Sequence, residues 1–270
     1  LALALVMIYN ATHLVNFAQG ELAMFATYLC WTMINAGWPY WAAFFATLVV
    51  AFLLGAAIER IIVRPVERAP VLTVVVVFIG LLLILNSVAG WIYTYTIKSF
   101  PSPFPEQPPF GTHLVSSHEL GAISVTLVVL LLVYLFFRFT PLGLAMRAAS
   151  QNPDSSRLVG IRVGWMLALG WGLAAAIGAT AGMMIAPIVF LDPNMMAGVL
   201  LYAFAGALVG GIDSPGGAVL GGFIVGVLEN LVGAYLIGTE LKLTVALVLI
   251  VGVLVVRPAG LFGKVIVTRV

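Results

Sequence analysis

The chain has 270 residues, of which 63% are hydrophobic and only 8% are charged, and its formal net charge at pH 7 is +2. Soluble domains carry about 25% charged and about 45–50% apolar residues, and disordered chains need high charge, so both classes are excluded. The composition predicts a single membrane domain over residues 1–270 whose main solvent is lipid.

Long charge-free runs predict where the chain crosses the bilayer. A helix needs about 20 apolar residues to span the hydrocarbon core, and it satisfies its own backbone groups there. We expect the run 1–9 to be the end of a truncated first helix, with no signal peptide before it. The other spans are predicted near 21–36, 41–58, 71–94, 120–137, 163–191, 193–212, 216–235 and 243–256.

These runs do not alternate apolar and polar residues as the strands of a membrane barrel do. The predicted fold class is therefore all-α and polytopic, with about eight transmembrane helices and some helices broken or re-entrant. Arginines are concentrated in the loops 59–70 and 138–162 and in the C-terminal tail, whereas the loop 95–119 has one cation, Lys98. By the positive-inside rule, the arginine-rich loops and the C-terminus are expected in the cytoplasm and the loop 95–119 outside.

Polar residues within the predicted spans are candidates for a translocation path. The ordinary alternative is that each of them makes a structural hydrogen bond between helices. The glycine-rich turn within 206–226 fits close helix packing or, alternatively, a hinge beside a path. The densest group of polar residues lies at 16–21. The candidates are Asn16, Glu21, Asn86, Gly210, Gly211 and Glu229.

The predicted external loop 95–119 is rich in proline and also holds His113, His118 and Glu119. Closely spaced prolines favour a stiff, extended segment, which suits a docking edge for an external partner. The two histidines and the glutamate would need a fourth ligand to hold a metal, so we expect ordinary solvated loop residues and no metal site. The single cysteine, Cys30, is expected to be a small buried hydrophobe.

Segment 138–162 is predicted to form two short helices on the cytoplasmic surface. Pro141 and Gly143 are expected to end the preceding span, and 144–151 contains good helix formers. An amphipathic helix lying on the lipid surface is one interpretation of this segment. The other is an element that docks in a cleft of a cytoplasmic protein.

A capped break is predicted between these two short helices. Asn152 suits an N-cap, Pro153 the first helical position and Asp154 the first turn. Gly160 suits the end of the second helix.

Together these residues resemble the permease subunits of ABC importers for branched-chain amino acids, the LivH type. The family usually has histidine where this chain has Gln19. The resemblance covers nearly the whole chain and rests on the order and spacing of the segments 16–21, 58–60, 64–66, 143–161, 209–222 and 258–263.

The resemblance implies that 144–161 forms the coupling helices that dock on an ATP-binding subunit. Within it, Arg147-Ala148-Ala149 stands where the general ABC permease signature has Glu-Ala-Ala, and Pro153 occupies the first glycine position of that signature. The implied coupling residues are Arg147, Ala149, Asp154, Arg157, Leu158, Gly160 and Ile161.

The energy for transport is expected to come from other chains, because the sequence has no phosphate-binding loop of the form G-x-x-x-x-G-K-[ST]. We expect no catalytic residues and no cofactor in this chain, with ATP and Mg bound by two cytoplasmic ATPase subunits. The other expected partners are a second permease subunit of the LivM type or a second copy, an extracytoplasmic substrate-binding protein and the lipid bilayer, and no nucleic acid. The implied location is the plasma (inner) membrane of a bacterium or archaeon.

The expected cargo is a branched-chain or other apolar amino acid, moved inward by alternating access. A permease of the same type for urea or short amides is the first alternative. An autonomous channel or secondary carrier is the second. A membrane enzyme is disfavoured, because its spans would need convergent catalytic side chains.

Overall fold

The structure is a computed structural model that describes residues 1–12, 15–67, 69–105, 116–238 and 241–263. Within these ranges the regular secondary structure is helical, and the one extended pairing is an isolated antiparallel bridge between Lys98 and Leu191. The predicted all-α class is therefore confirmed.

Twelve α-helices are described. They are α1 (Ala2–Thr12), α2 (Gln19–Asn35), α3 (Tyr40–Ile58), α4 (Arg64–Val66), α5 (Val71–Tyr93), α6 (Ser117–Phe139), α7 (Pro141–Gln151), α8 (Pro153–Leu158), α9 (Val163–Val189), α10 (Met195–Gly210), α11 (Pro215–Val232) and α12 (Lys242–Val256). A π-helical turn, Glu59–Val63, joins α3 to α4, and a second one, Gly233–Ile237, extends α11.

Five of the described helical segments are long and apolar enough to cross a membrane. They are Tyr40–Val66, Val71–Tyr93, Ser117–Phe139, Val163–Val189 and Pro215–Leu236, and the shorter helices α10 and α12 are also apolar. This pattern agrees with the predicted polytopic membrane protein.

Helix α6 is longer than the predicted span because both of its ends are capped. At its start, Ser116 and Glu119 form a reciprocal capping box. At its end, the backbone N–H of Thr140 donates to the carbonyl of Phe136 at 3.2 Å. The side chain of Thr140 accepts from the backbone N–H of Gly143 at 3.0 Å and so caps α7. Pro141 and Gly143 therefore lie in the first turn of α7, where proline is tolerated, and not at the end of α6 as predicted.

Helix α9 is the centre of the bundle and packs against α1, α2 and α3. It approaches α3 closely because small residues face each other. A Cβ atom at Gly55 would lie 2.6 Å from the Cβ of Ala175, and one at Gly172 would lie 2.8 Å from the carbonyl oxygen of Phe52. In lipid, helices associate through such close packing, so these glycines fix the position of α9.

Helices α2 and α10 both begin inside the membrane domain. The side chain of Gln19 donates to the carbonyl of Ala174, near the middle of α9, at 3.0 Å. A Cβ atom at Gly20 would lie 3.4 Å from Met196 and from Leu200 of α10. Because α9 is long enough to span the membrane, its middle marks the depth at which these two helices start. This arrangement fits the predicted broken or re-entrant helices.

Candidate functional site

A polar cluster lies where the starts of α2 and α10 meet the side of α5. Its central residue is Asn86, which is half-buried on α5. The amide nitrogen of Asn86 donates to the carbonyl of Pro193 at 2.9 Å, to Oδ1 of Asn194 at 3.2 Å and to Oε2 of Glu21 at 3.4 Å. Its amide oxygen accepts from the hydroxyl of Tyr95 at 3.1 Å. The structure thus brings together two predicted site residues, Glu21 and Asn86.

The amide nitrogen of Asn86 has two hydrogens for these three acceptors. The contact with Glu21 is the longest of the three, so this carboxylate is held more weakly than the Pro193 carbonyl. Glu21 is 6% exposed, whereas Asn194 is exposed. The cluster therefore has a buried acidic side and an open side.

Two helix N-termini add partial positive charge to the cluster. Glu21 lies in the first turn of α2, where a carboxylate interacts favourably with the helix dipole. At the start of α10, Asp192 accepts a hydrogen bond from the backbone N–H of Asn194 at 2.6 Å. The first N–H groups of each helix have no partner within the helix, so the helix starts attract negative groups. Glu21 and Asp192 are acidic and attract positive groups, so the region can hold groups of either charge.

The segment before α2 is ordered by its own polar side chains. Asn16 is fully buried, and its Oδ1 accepts from the backbone N–H of Ala18 at 3.0 Å, which forms a local turn. The amide nitrogen of Asn16 and the amide oxygen of Gln19 are buried and have no hydrogen-bond partner among the described residues. This break therefore keeps unsatisfied polar atoms at membrane depth, next to Glu21.

The prediction did not include Tyr95, Pro193 and Asn194. Asp192-Pro193-Asn194 is a polar turn directly before an apolar helix, and this pattern is a recognised signal of a helix start. No local signal reveals its contact with Asn86, because the two segments are 107 residues apart in sequence.

The predicted candidates Gly210 and Gly211 lie in a close-packed turn and make no described contact with the cluster. Gly210 contacts the backbone of Gly217 on α11, and Gly211 has a φ of 108°, which favours glycine. The backbone N–H of Phe262 donates to the carbonyl of Gly210 at 3.0 Å, so the C-terminal segment covers the turn. These contacts support close packing over a hinge.

Glu229 lies apart from the cluster on α11. Its neighbours include Lys242, at the start of α12, and Tyr202 of α10. Lys242 donates to Oδ1 of Asn230 at 2.7 Å. One oxygen of Glu229 is buried without a hydrogen-bond partner among the described residues. This group joins α10, α11 and α12 and is a further polar site within the described spans.

The predicted coupling segment forms two short helices with the expected cap. Oδ1 of Asn152 accepts from the backbone N–H of Ser155 at 3.0 Å, and Gly160 follows α8 with a φ of 85°. Asp154 and Arg157 form an ion pair at 3.0 Å on the surface. The predicted cap and helix end are confirmed.

The tip of this segment is apolar and exposed. Leu158 is 88% exposed and Val159 is 77% exposed, whereas Ile161 is half-buried. Ala149 faces the bundle and is buried, so its side chain is not on the outer surface of α7. Arg147 is exposed and lines a cleft between α7 and the membrane helices.

His118 of the predicted external loop lies at the start of α6 and makes structural contacts. His118 contacts Oγ of Ser102 at 2.9 Å through Nδ1 and the carbonyl oxygen of Met184 at 2.8 Å through Nε2. His113 lies outside the described residues. In the described part of the chain, no three histidine, cysteine, aspartate or glutamate side chains converge as a metal site. Cys30 is buried and free.

Comparison with known proteins points to one family. Residues 1–254 match the family described as the permease component of the branched-chain amino acid transport system. The chain is 31% identical to the high-affinity branched-chain amino acid transport system permease protein LivH of Escherichia coli, over 98% of this chain and 90% of that protein. It is 29% identical to the corresponding protein BraD of Pseudomonas aeruginosa, over 98% of this chain and 91% of that protein.

An archaeal relative is also similar. The chain is 27% identical to the probable branched-chain amino acid transport permease protein LivH of Methanocaldococcus jannaschii, over 97% of this chain and 87% of that protein. No solved structure gives a significant match. With its apolar helices and this match over nearly its whole length, the chain belongs to the family of branched-chain amino acid transport permeases.

Proposed function

We propose that this chain is the membrane subunit of an ATP-driven ABC importer, and that an apolar amino acid passes the polar cluster around Glu21 and Asn86. The observation that carries the proposal is the meeting of an acidic side chain, carboxamides and two helix starts at membrane depth. Ionisable groups there are costly and usually belong to a substrate or ion pathway.

The chemistry of the cluster suits a zwitterion. The carboxylate of Glu21 and the oxygen of Asn194 can accept hydrogen bonds from an ammonium group. The partial positive charge at the starts of α2 and α10 can attract a carboxylate, as half-helix ends do in other transporters. The rings of Phe17 and Phe204, with centroids 5.7 Å apart, offer apolar surface close to the break for an aliphatic side chain.

The names of the relatives support the cargo class. The proteins from Escherichia coli and Pseudomonas aeruginosa are both described as permeases of a high-affinity branched-chain amino acid transport system. We extend that class to this chain as branched-chain or other apolar amino acids.

The exposed tip of the coupling segment supports the proposal that another protein supplies the energy for transport. Leu158 and Val159 present apolar surface to the solvent, next to the Asp154–Arg157 ion pair. An exposed apolar pair with a charged rim suits docking in a cleft of another protein. We propose that two ATPase subunits, which carry ATP and Mg, bind this tip on the cytoplasmic side, where the C-terminus also lies.

Transport in this proposal is passive rocking of the permease between two states. ATP binding by the partners shifts the equilibrium between them through the coupling helices. The cargo contributes only through its difference in affinity for the two states. A second permease subunit or second copy completes the path, and an extracytoplasmic binding protein delivers the cargo.

The test is uptake of labelled leucine into liposomes that contain the complex co-purified with this chain. We expect uptake to require ATP, the ATPase subunits and the binding protein. Uptake by this chain alone would contradict the proposal and favour a channel or secondary carrier. Uptake of urea or a short amide without uptake of leucine would contradict the cargo class.

A further inference from the structure

A cleft of about 580 Å³ opens between α6 and the body of the bundle, on the side of α7. Its walls come from α1, α6, α7, α9 and α11. The closest helix neighbours of α6 are α7 and α9, and the cleft lies on its side toward α1 and α11. The α6 side chains on this side are half-buried and pack against the hydrophobic core behind the cleft. Leu130, Val133 and Phe137 of α6 line this side, at a spacing that puts them on one helical face.

The apolar wall ends in two arginines. Arg138 lies in the last turn of α6, and Arg147 lies across the cleft on α7. Neither arginine has an acidic partner in the described part of the chain, where the one ion pair joins Arg157 to Asp154. Tyr134 and Ser150 add hydroxyl groups to the same mouth of the cleft.

We propose that this cleft binds one anionic phospholipid from the adjoining leaflet. The phosphate contacts Arg138 and Arg147, and one acyl chain lies along Leu130, Val133 and Phe137. Charge complementarity selects this occupant, because two unpaired guanidinium groups at the end of an apolar groove match an anionic headgroup above an acyl tail. Basic pockets between transmembrane helices bind such headgroups.

The lining disfavours the transported amino acid as the occupant. Apart from Asn10, the lining away from the arginines and hydroxyl groups is apolar, and both charges at the mouth are positive, so an ammonium group would be repelled. Glu21 and Asn86 do not line this cleft. The lipid site is therefore separate from the proposed cargo site, and the two proposals can fail independently.

The experiment is native mass spectrometry of the purified full chain in detergent, titrated with phosphatidylglycerol or with phosphatidylcholine. We expect the chain to retain phosphatidylglycerol in preference to phosphatidylcholine. The loss of one arginine near a lipid surface should weaken binding about fivefold, so the double variant Arg138→Gln/Arg147→Gln should bind about 25-fold more weakly. Arg257→Gln, an exposed arginine outside the cleft, is the matched control and should bind phosphatidylglycerol as the original chain does.

A second variant tests the tail without touching the charges. Val133→Trp fills the apolar wall and should also weaken phosphatidylglycerol binding, with both arginines intact. Thermal melting of each variant in detergent establishes that it is folded before binding is compared.

Three results would overturn the proposal. One is equal phosphatidylglycerol binding by the double variant and the original chain. Another is equal retention of phosphatidylcholine, and the third is unchanged binding by Val133→Trp. If Val133→Cys forms a cross-link to another protein chain in native membranes, protein fills the cleft and the proposal is also wrong.

Discussion

The side chain of Asn86 on α5 donates a 2.9 Å hydrogen bond to the backbone carbonyl of Pro193, just before α10. This bond joins a long membrane helix to the start of a short one at the point where α2 also begins. The same amide contacts Glu21, so one side chain connects three helices. The position of the cluster therefore depends on Asn86.

Replacing Asn86 with leucine should impair both folding and transport. The change leaves the Pro193 carbonyl without its donor, and an unsatisfied buried polar group costs about 1–3 kcal/mol. We expect a lower Tm in detergent and reduced leucine uptake per folded molecule. Asn35→Leu is the matched control, because among the described residues the amide of Asn35 bonds within its own helix, to the carbonyl of Trp31 at 3.0 Å. Equal effects of the two changes would argue against a special role of Asn86.

Replacing Glu21 with glutamine should reduce transport more than stability. Glutamine keeps an oxygen that can accept from Asn86 but removes the negative charge proposed to hold the ammonium group. Hydrogen bonds to charged groups contribute about 1.5–3 kcal/mol, so leucine uptake should fall about 10- to 150-fold. Glu67→Gln, at an exposed loop position, should leave uptake unchanged. Full uptake by well-expressed Glu21→Gln protein would remove Glu21 from the path.

Replacing Leu158 with serine should uncouple the proposed ATPase from transport. The side chain is 88% exposed in this chain, so the change should leave the folded state nearly unaffected. If Leu158 is buried by a partner, the loss is about 1.5–3 kcal/mol of docking energy. The measurement is the stimulation of ATP hydrolysis by the binding protein and cargo. Leu261→Ser, at an exposed position outside the membrane spans, is the control, and a Leu158→Ser complex with normal stimulation would contradict the docking site.

Replacing Gly206 with alanine should destabilise the packing of α10 on α11. The new Cβ would lie 2.6 Å from Cα of Gly222, and overpacking of this kind costs about 1–3 kcal/mol. Gly226→Ala is a matched control, because a Cβ there has no neighbour within 4 Å and alanine favours the helix. In detergent, we expect the Tm of Gly206→Ala to be lower than that of the original chain, and the Tm of Gly226→Ala to be equal or higher. The reverse order would contradict the close-packed arrangement.

Local features of the fold were predictable from the sequence because they depend on neighbouring residues. Charge-free runs predicted the long helices, and Asn152-Pro153 predicted the capped start of α8. Pro141 was predicted to end a helix but lies in the first turn of the next, because Thr140 supplies a cap that the prediction did not consider.

The site was only partly predictable, because its residues come from distant parts of the chain. Glu21 and Asn86 were each conspicuous as polar residues in apolar spans, but their contact joins positions 65 residues apart. The role of Asn194 depends on how α10 returns to the starts of α2 and the side of α5. Packing of the whole bundle determines that return, and no pattern within one segment encodes it.

The most direct test of the cargo path is whether bound substrate protects a cysteine placed in the cluster from a thiol reagent. Asn194 is exposed at the open side, so Asn194→Cys in a Cys30→Ala background should react with a small thiol reagent in the assembled transporter. We predict that saturating leucine slows this reaction several-fold, whereas the reaction of Asn35→Cys in the same background is unaffected. An unchanged reaction rate at Asn194→Cys, in a complex that still transports leucine, would contradict the proposal that the cargo passes Glu21 and Asn86.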